Sequence, residues 1–497
     1  EKENELLREQ IRLLLAQMFG KKSEKGSGDS GAVQIPLFDM PEPEVEVEEE
    51  EIEVPLHERK KPGRKKLPAA LPRVEVLHDI DEAEKVCGCG ATLDRIGEDI
   101  SEKLDVIPAV IRVIKHIRPK YACKQCEGLN TEGSVVKIAP QPKQIIPKSI
   151  ATAGLLAYIF TAKFCDALPF YRQESQFTRI GAEISRTNMC NWAMKVAVSC
   201  QPVLSLLHQE IRSGPLINID ETTVQVLREP DRAATTKSYM WVCRGGRPEH
   251  PGLMFHYAPS RSGHVAKVLL KGYSGVVQSD GYSGYNFLDH LPEINHGACL
   301  AHARRKFTDA QKARGKSKKP GSIDVALGYI RKIYAIESEA RRKGISGDHL
   351  ISLRKDKSKQ VFDDFFKWLS KKSLQVVPKS LLGKAINYTL GQWTRLLVFL
   401  DHPDMTPDNN LAENAIRPFV VGRKNWLFAG TPDGAKASAD LYSLIETAKA
   451  NKLEPYKYLR YLFEKLPFAE SEKDFRQLLP MNLKPEQLLL PDTPTGV

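Results

Sequence analysis

Three acidic residues stand at the ends or starts of segments whose patterns predict regular structure. Asp220 ends the apolar strand pattern PLINID, and Asp280 ends a second one, GVVQSD. Glu413 lies in DNNLAENAIRPF, where Asp408 or Asn409 can cap a helix that carries Glu413 in its first turns. Two carboxylates at strand ends and one on a helix can hold two Mg²⁺ ions about 3.5–4 Å apart. These residues are therefore candidates for a metal-dependent phosphodiester site.

A second group of residues could bind zinc. Four cysteines fall in two close pairs: Cys87, Cys89, Cys123 and Cys126. Four thiolates in two pairs can close a tetrahedral site around a structural Zn²⁺ ion. The first pair, VCGCG, is tighter than the usual Cys-x-x-Cys, so His78 or His116 could replace Cys87 as a ligand. Two clusters of free, buried cysteines are the alternative to a zinc site.

Basic and polar side chains near these groups could bind DNA. The runs CLAHARRKF and IRPFVVGRKNW contribute His302, Arg304, Arg305, Lys306, Arg417, Arg423 and Lys424. Arg64 follows a Pro-Gly turn in ERKKPGRKK and could enter a minor groove. The solvated charged face of an ordinary helix is the alternative for each run.

A helix-turn-helix is a further candidate for DNA recognition. In YRQESQFTRIGAEISRTNMCNWAMKVA, Gly181 separates two helical patterns and Ser185 can cap the second. The residues that could face bases from this second helix are Arg186, Thr187, Asn188 and Asn191. A plain helical bundle has the same pattern and is the alternative.

Changes of pattern along the chain predict the elements that position these residues. The predicted segments are an amphipathic helix at 1–25, an acidic and then basic flexible linker at 26–73, the cysteine unit at 74–140, a helical segment at 141–212, short strands and then helices at 213–430, and a helical tail at 431–497. The first helix could form a short coiled coil or pack on its own domain. Strands are also predicted between the cysteine pairs, in DVIPAVIRVIKHIRPKYAC. The cysteines outside the pairs are predicted to be buried.

Composition and charge narrow the classes of partner. The chain has 497 residues and a net charge of +11, and the stretch 42–53 holds eight Glu without Lys or Arg, which leaves +19 on the rest. A basic body of this kind favours a polyanion, nucleic acid before a membrane. The longest apolar stretch, ATAGLLAYIFTAKFC, is too short to cross a bilayer. Nine cysteines are too few for a disulfide scaffold of this length and indicate a reducing compartment.

Several long strings resemble one known family. INIDETTVQV, VVQSDGYSGYN, ACLAHARRKF, NNLAENAIRP and VGRKNWLFAGT resemble the bacterial transposases of the insertion-sequence-66 family. The first helix is similar to the family's leucine-zipper-like segment, the cysteine unit to its zinc-binding domain, and LYSLIETAKANKLEPYKYLRYLFEKLP to its C-terminal helical domain. One departure is visible, since Val86 stands where the first cysteine of the family's zinc pair would fall.

The resemblance implies a fold class and an activity. The fold would be multidomain α/β, with an RNase H-like catalytic core that carries a helical insertion at about 308–405, a zinc-binding domain, a helix-turn-helix-like domain and a coiled-coil helix. Asp220, Asp280 and Glu413 would form a DDE triad that binds Mg²⁺ or Mn²⁺. The activity would be cleavage at transposon ends and strand transfer into target DNA.

The partners implied by the resemblance are double-stranded DNA, a second or further copy of the chain, and small companion transposition proteins. No membrane is implied, and the place would be the bacterial cytoplasm with its nucleoid. A DNA-binding regulator without catalysis and a structure-specific nuclease on the same fold are the alternatives.

Overall fold

The structure, a computed structural model, covers residues 2–19, 111–122, 136–314 and 321–488 and is mixed α/β with helices predominating. Contacts divide the chain into two units, residues 25–116 and the remainder. Several predictions lie outside the described residues: the acidic linker, Arg64 and the four paired cysteines Cys87, Cys89, Cys123 and Cys126. Within the described ranges, no helix is long and apolar enough to cross a membrane.

The elements follow the predicted change from helices to strands and back. The helices are α1 Lys2–Phe19, α2 Ala153–Phe164, α3 Phe170–Arg179, α4 Arg186–Ser199, α5 Gln201–Arg212, α6 Gly263–Leu269, α7 Leu300–Arg314, α8 Ser322–Arg342, α9 Gly347–Leu353, α10 Lys359–Ser373, α11 Leu381–Gly391, α12 Trp393–Leu397, α13 Asn410–Trp426, α14 Pro432–Ala450, α15 Pro455–Lys465 and α16 Glu472–Gln477. The strands are β1 Lys120–Ala122, β2 Val136–Ile138, β3 Leu216–Gln225, β4 Lys237–Arg247, β5 His250–Ala258, β6 Gly275–Gln278 and β7 Ile294–Gly297.

Strands β3 to β7 form one mixed sheet in the order β5-β4-β3-β6-β7. Strand β4 is antiparallel to both β3 and β5, whereas β6 is parallel to both β3 and β7. The sequence patterns predict β3 to β6 but not β7, because its four residues INHG lack an alternation of apolar and polar side chains. The strands predicted before Cys123 are largely wrong, since residues 111–119 have no regular structure and only β1 follows them.

The central sheet has helices on both faces. Leu216 and Val276 join the hydrophobic cluster of helices α7, α8, α10, α11 and α12. Ile217, Ile219 and Val277 join a larger cluster that includes α2 to α5 and α13 to α15. Successive side chains of a strand point to opposite faces, which explains this division. Domain boundaries were predicted after residues 212 and 430. The larger cluster includes residues from both sides of each position, and the boundaries stay predictions.

The helix-turn-helix segment has the predicted local signals. Gly181 has φ +81°, and Ser185 accepts the Asn188 N–H at 3.2 Å as the cap of α4.

Helix α14 packs against β5, where Thr447 and Ser443 side chains accept N–H groups of that strand. The C-terminal segment, predicted to be helical, contains helices α14, α15 and α16.

Helix α1 packs on its own chain, which was one of its two predicted arrangements. It contacts α7, and the Glu9 carboxylate accepts the Leu381 N–H at 3.2 Å. Several apolar side chains of α1 stay exposed: Leu7, Ile11, Leu14, Leu15 and Met18. The coiled coil stays a prediction.

The cysteines outside the two pairs were predicted to be buried, and this is wrong for two of them. Cys200, Cys243 and Cys299 are buried, but Cys165 is half-buried and Cys190 is exposed. Cys190 lies on the outer face of α4, where the helix presents the polar residues of its sequence to solvent.

Candidate active site

Asp220 and Asp280 lie at equivalent levels of two neighbouring parallel strands. In the pairing of β3 with β6, Leu216 stands opposite Val276 and Asn218 opposite Gln278. Asp220 is two residues beyond Asn218, and Asp280 is two residues beyond Gln278. Asp220 was predicted to end its strand, but β3 continues to Gln225 in pairing with β4, so Asp220 lies in the middle of β3, at the level of the loop that carries Asp280 directly after β6.

A buried polar network joins these strands to the helix that carries Glu413. The Asn218 amide donates to Gln278 Oε1 at 2.8 Å and to Asn409 Oδ1 at 3.0 Å. The Asn409 amide in turn donates to the Ile219 carbonyl at 3.0 Å. Since Asn409 immediately precedes α13, the network fixes the start of this helix against the middle of β3 and the end of β6.

Of the two predicted capping residues of α13, only Asp408 accepts an N–H group at the start of the helix. Asn409 occupies the N-cap position, but its side chain makes no capping hydrogen bond because it is turned into the sheet. Asp408 Oδ1 accepts the Asn410 N–H at 3.2 Å instead. Glu413 follows in the first turn of α13.

Glu413 faces helix α7. Its Oε1 lies 3.7 Å from His302 Nδ1, and its Oε2 lies 3.6 Å from the Arg305 guanidinium. Both Oε1 and His302 Nδ1 are buried without a hydrogen-bond partner. Burial lowers the pKa of His302, and the charge of Arg305 acts in the same direction, so the imidazole is neutral at pH 7.

A second set of side chains borders the carboxylates, and sequence reasoning gave none of them a role. Glu221 accepts from Arg261 Nε at 2.6 Å and from the Tyr285 hydroxyl. Arg261 also lies 3.8 Å from Asp280 Oδ2 and stacks over the Tyr282 ring at 3.9 Å. The adjacent acids Asp220 and Glu221 were a usable signal, whereas nothing in the sequence connects Arg261 with them.

The electrostatics couple the three predicted acids. Burial raises the pKa of Asp220 to about 8, and the negative charges of Glu221, Asp280 and Glu413 act in the same direction. Asp280 Oδ1 accepts the Tyr282 N–H at 2.9 Å, which orients its carboxylate. The structure thus brings Asp220, Asp280 and Glu413 into one electrostatic cluster.

These residues fit divalent cations. Carboxylate oxygens are hard ligands of the kind that Mg²⁺ and Mn²⁺ prefer. The charged forms of two of these carboxylates lack stabilisation, because burial raises the pKa of Asp220 and Glu413 Oε1 has no hydrogen-bond partner. A cation held by Asp220, Asp280 and Glu413 would stabilise the charged forms.

The candidate DNA-binding residues fall in three places. Arg304, Arg305 and Lys306 are exposed on α7 beside Glu413, and Arg417 and Lys424 are exposed on α13. Arg186 and Asn188 are exposed at the start of α4. Arg423 is half-buried and donates to the Thr222 and Thr223 hydroxyls at 3.1 Å, so it contacts β3.

Several family models match this chain, and together they cover most of it. The family described as "Transposase IS66 family" matches residues 148–437, and "IS66 C-terminal element" matches 443–481. "Zinc-finger binding domain of transposase IS66" matches 84–127, which includes all four paired cysteines. "Transposase C of IS166 homeodomain" matches 6–76.

Relatives of similar length occur in Sinorhizobium fredii (strain NBRC 101917 / NGR234). "Uncharacterized protein y4jD" is 34% identical over 437 residues, which cover 85% of this chain and 82% of the relative. "Uncharacterized protein y4qI" is 32% identical over 439 residues, which cover 86% of this chain and 78% of the relative.

Proposed function

The chain belongs to the IS66 family of transposases, and we propose that it cuts DNA at transposon ends and joins those ends to target DNA. Asp220, Asp280 and Glu413 would be its metal-binding triad. The observation that carries the proposal is the cluster of these three acids on β3, after β6 and on α13, with the pKa of Asp220 raised to about 8.

The five-stranded mixed sheet would be the RNase H-like core, and residues from about 308 to 405, which run from within α7 to beyond α12, its helical insertion. Two facts support this assignment. The triad residues lie in the middle of β3, just after the parallel strand β6, and on a helix that packs against β3. The insertion lies between the second and third acids in sequence, and α7, the helix that leads into it, contributes His302 and Arg305 beside Glu413.

The residues of the chain would position DNA and metal for in-line displacement. When bound at the three carboxylates, divalent cations would activate the attacking oxygen and stabilise the departing one. The Tyr282 N–H and the Asn218–Gln278–Asn409 network hold the carboxylates in place. Attack of water on a phosphodiester would free a 3′-hydroxyl, which would then attack a phosphodiester of the target DNA.

The exposed cations around the triad would bind the DNA backbone. Arg304, Arg305 and Lys306 on α7 and Arg417 on α13 lie on the two helices whose first turns face each other at Glu413. Phosphate contacts of this kind position DNA without reading its sequence. Arg186 and Asn188 at the start of α4 would contact base edges. Three further parts of the proposal rest on the sequence alone. They are a structural zinc domain, an oligomer formed through α1, and small companion proteins.

The proposed activity is tested with the full-length chain and a duplex that carries the terminal repeats of its element. With Mg²⁺ present, we expect strand nicks at the repeat boundary that leave 3′-hydroxyl ends, because the triad requires a divalent cation. Denaturing gels with end-labelled strands measure the cuts.

A duplex of equal length with scrambled repeats is the matched control, and omission of Mg²⁺ is the second. Equal cutting with and without Mg²⁺ would contradict the proposal. Retained binding to the repeats without any cutting would favour the regulator without catalysis.

Replacement of Asn409 by Ala should misplace Glu413. We expect kcat to fall about 100-fold, because a displacement of about 1 Å at a reacting centre costs that much. The affinity for DNA should change little, since Asn409 is buried beneath the site. Single-turnover cleavage and fluorescence anisotropy measure the two quantities. Asn410→Ala, at an exposed neighbouring position, is the control and should cleave at the wild-type rate.

A further inference from the structure

A cluster of three different metal-ligating side chains lies beside the triad and shares Glu413 with it. The thiol of Cys299, the imidazole of His302 and the carboxylate of Glu413 place their ligand atoms within 4.8 Å of one another. Cys299 lies between β7 and α7, His302 is in the first turn of α7, and Glu413 is in the first turn of α13. Three different parts of the fold therefore bring these ligand atoms together.

Two atoms of this cluster have no hydrogen-bond partner although they are buried. They are His302 Nδ1 and Glu413 Oε1, and they face each other at 3.7 Å, which is too long for a hydrogen bond. A buried polar atom without a partner destabilises the fold, because it has lost its hydrogen bonds to water. An ion bound between them would satisfy both atoms, whereas the described protein contacts satisfy neither.

A backbone donor holds the sulfur of Cys299, although burial raises the pKa of this thiol to about 12 when no ion is bound. The sulfur accepts the Asn409 N–H at 3.1 Å, and it lies immediately before the N-terminus of α7. Donors of this kind and the positive ends of helices stabilise negative charge on sulfur. Cys299 is 1% exposed, so a bound ion would lose little affinity to competing water at the sulfur.

We propose that Cys299, His302 and Glu413 form a zinc site that is separate from the four-cysteine domain. A set of one sulfur, one nitrogen and one carboxylate oxygen suits Zn²⁺ rather than Mg²⁺, which prefers oxygen ligands alone. Three protein ligands leave a fourth tetrahedral position open. Tetrahedral bond lengths to Zn²⁺ place such ligand atoms roughly 3.3–3.8 Å apart. The side chains therefore need to close by no more than about 1.5 Å, a movement that rotamer adjustment provides.

The site has a consequence for the proposed activity, and this consequence rests on the proposed function. Glu413 cannot serve the zinc site and the carboxylate triad fully at the same time. Zinc bound by Cys299 and His302 would withdraw Glu413 from Asp220 and Asp280. Free zinc would then inhibit Mg²⁺-dependent cleavage in competition with Mg²⁺.

Cobalt spectroscopy tests the site itself. Full-length protein, purified with its four-cysteine domain loaded with zinc, is titrated with Co²⁺, whose bond to a thiolate gives a charge-transfer absorption band. We expect one additional Co²⁺ per chain with this band. Cys299→Ser should lose the additional band. Loss of an outer-shell partner weakens metal binding by roughly 10–100-fold, and His302→Gln, which removes a ligand, should weaken Co²⁺ binding at least as much.

Cys243→Ser is the matched control, because Cys243 is an equally buried thiol on β4. Exchange of Co²⁺ into the four-cysteine domain would be equal in all variants, so the difference from Cys299→Ser isolates the proposed site. Circular dichroism verifies that each variant is folded. If Cys299→Ser does not fold, the Co²⁺ affinity of His302→Gln tests the proposed site instead. An unchanged band in Cys299→Ser, or unchanged affinity in His302→Gln, would overturn the proposal.

Zinc inhibition of cleavage is the second measurement. Wild type should lose Mg²⁺-dependent cleavage as zinc is added, and excess Mg²⁺ should restore it. If the protein binds the additional Co²⁺ but cuts no DNA, the proposed function fails and the zinc site stands. If it cuts DNA but binds no additional Co²⁺, the opposite holds.

Discussion

Replacement of Asp220 by Asn is expected to lower Mg²⁺-dependent DNA cleavage by about 10²–10³-fold or more, since removal of one electrostatic stabiliser of a transition state has this effect. The amide keeps the size of the carboxylate but provides only a neutral, weak ligand. Asp220 lies in the same electrostatic cluster as Asp280 and Glu413, so its loss weakens the site for both cations. Cleavage of end-labelled duplex measures the rate, and fluorescence anisotropy should give an unchanged affinity for DNA.

The same variant should be more stable than wild type when no divalent cation is present. The pKa of Asp220 is raised from 3.8 to about 8, so the folded chain holds a proton that the unfolded chain has lost between these values. The stability of wild type therefore falls as pH rises through this window, whereas that of the Asn variant does not. Above pH 8 we expect Asp220→Asn to be more stable by about 1–3 kcal/mol, the usual penalty for an uncompensated buried group.

Mg²⁺ should reverse this order, because it binds the folded wild type and stabilises it by mass action. Differential scanning calorimetry at pH 5 and pH 8.5, with and without Mg²⁺, measures the four conditions. Asp348→Asn, at an exposed position of α9, is the matched control and should show neither effect. A wild-type rate of cleavage by Asp220→Asn would exclude Asp220 from the triad.

Replacement of Arg354 by Met is expected to destabilise the helical insertion by about 3–5 kcal/mol, because it leaves a buried charge without its partner. Arg354 is 1% exposed and makes two hydrogen bonds of 2.8 Å to Glu337. It also donates to the carbonyls of Phe399, His402 and Met405. These carbonyls belong to the segment that leads into α13, so the variant should cut DNA more slowly as well.

Urea denaturation followed by tryptophan fluorescence measures this effect, since Trp368 and Trp393 pack in the same hydrophobic cluster. The double replacement Arg354→Met with Glu337→Leu should recover much of the loss, because a buried ion pair can be exchanged for apolar side chains at little cost. Lys359→Met removes an exposed pair with Asp363 and is the control, with an expected cost of about 0.3–0.5 kcal/mol. Equal losses for Arg354→Met and Lys359→Met would contradict this account.

The local structure around the candidate site could be predicted from sequence to a large extent. Apolar alternation before Asp220 and Asp280 predicts β3 and β6, and the polar cap before Glu413 predicts the start of α13. Gly181 and Ser185 predict the turn and cap of the helix pair at α3 and α4. These features depend on residues within a few positions of one another, and local backbone preferences decide them.

Strand β7 and the contacts of Arg261 could not be predicted in this way. The four residues of β7 form a strand because β6 offers a parallel edge, and not because of their own pattern. Arg261 reaches Glu221 across 40 positions of sequence, and Cys299 reaches Asn409 across 110. Contacts of this range depend on how the chain returns to the sheet.

The sequence by itself was enough to predict the three acids as candidates for the site, the elements that carry them and the family. Residue types and short spacings encode all of these. Only the tertiary structure decided that Asn218, Gln278 and Asn409 join β3, β6 and α13 beneath the carboxylates. It also decided that Cys299 and His302 face Glu413. The physical reason is that buried polar groups must find partners wherever packing brings them together, and packing is a property of the whole fold.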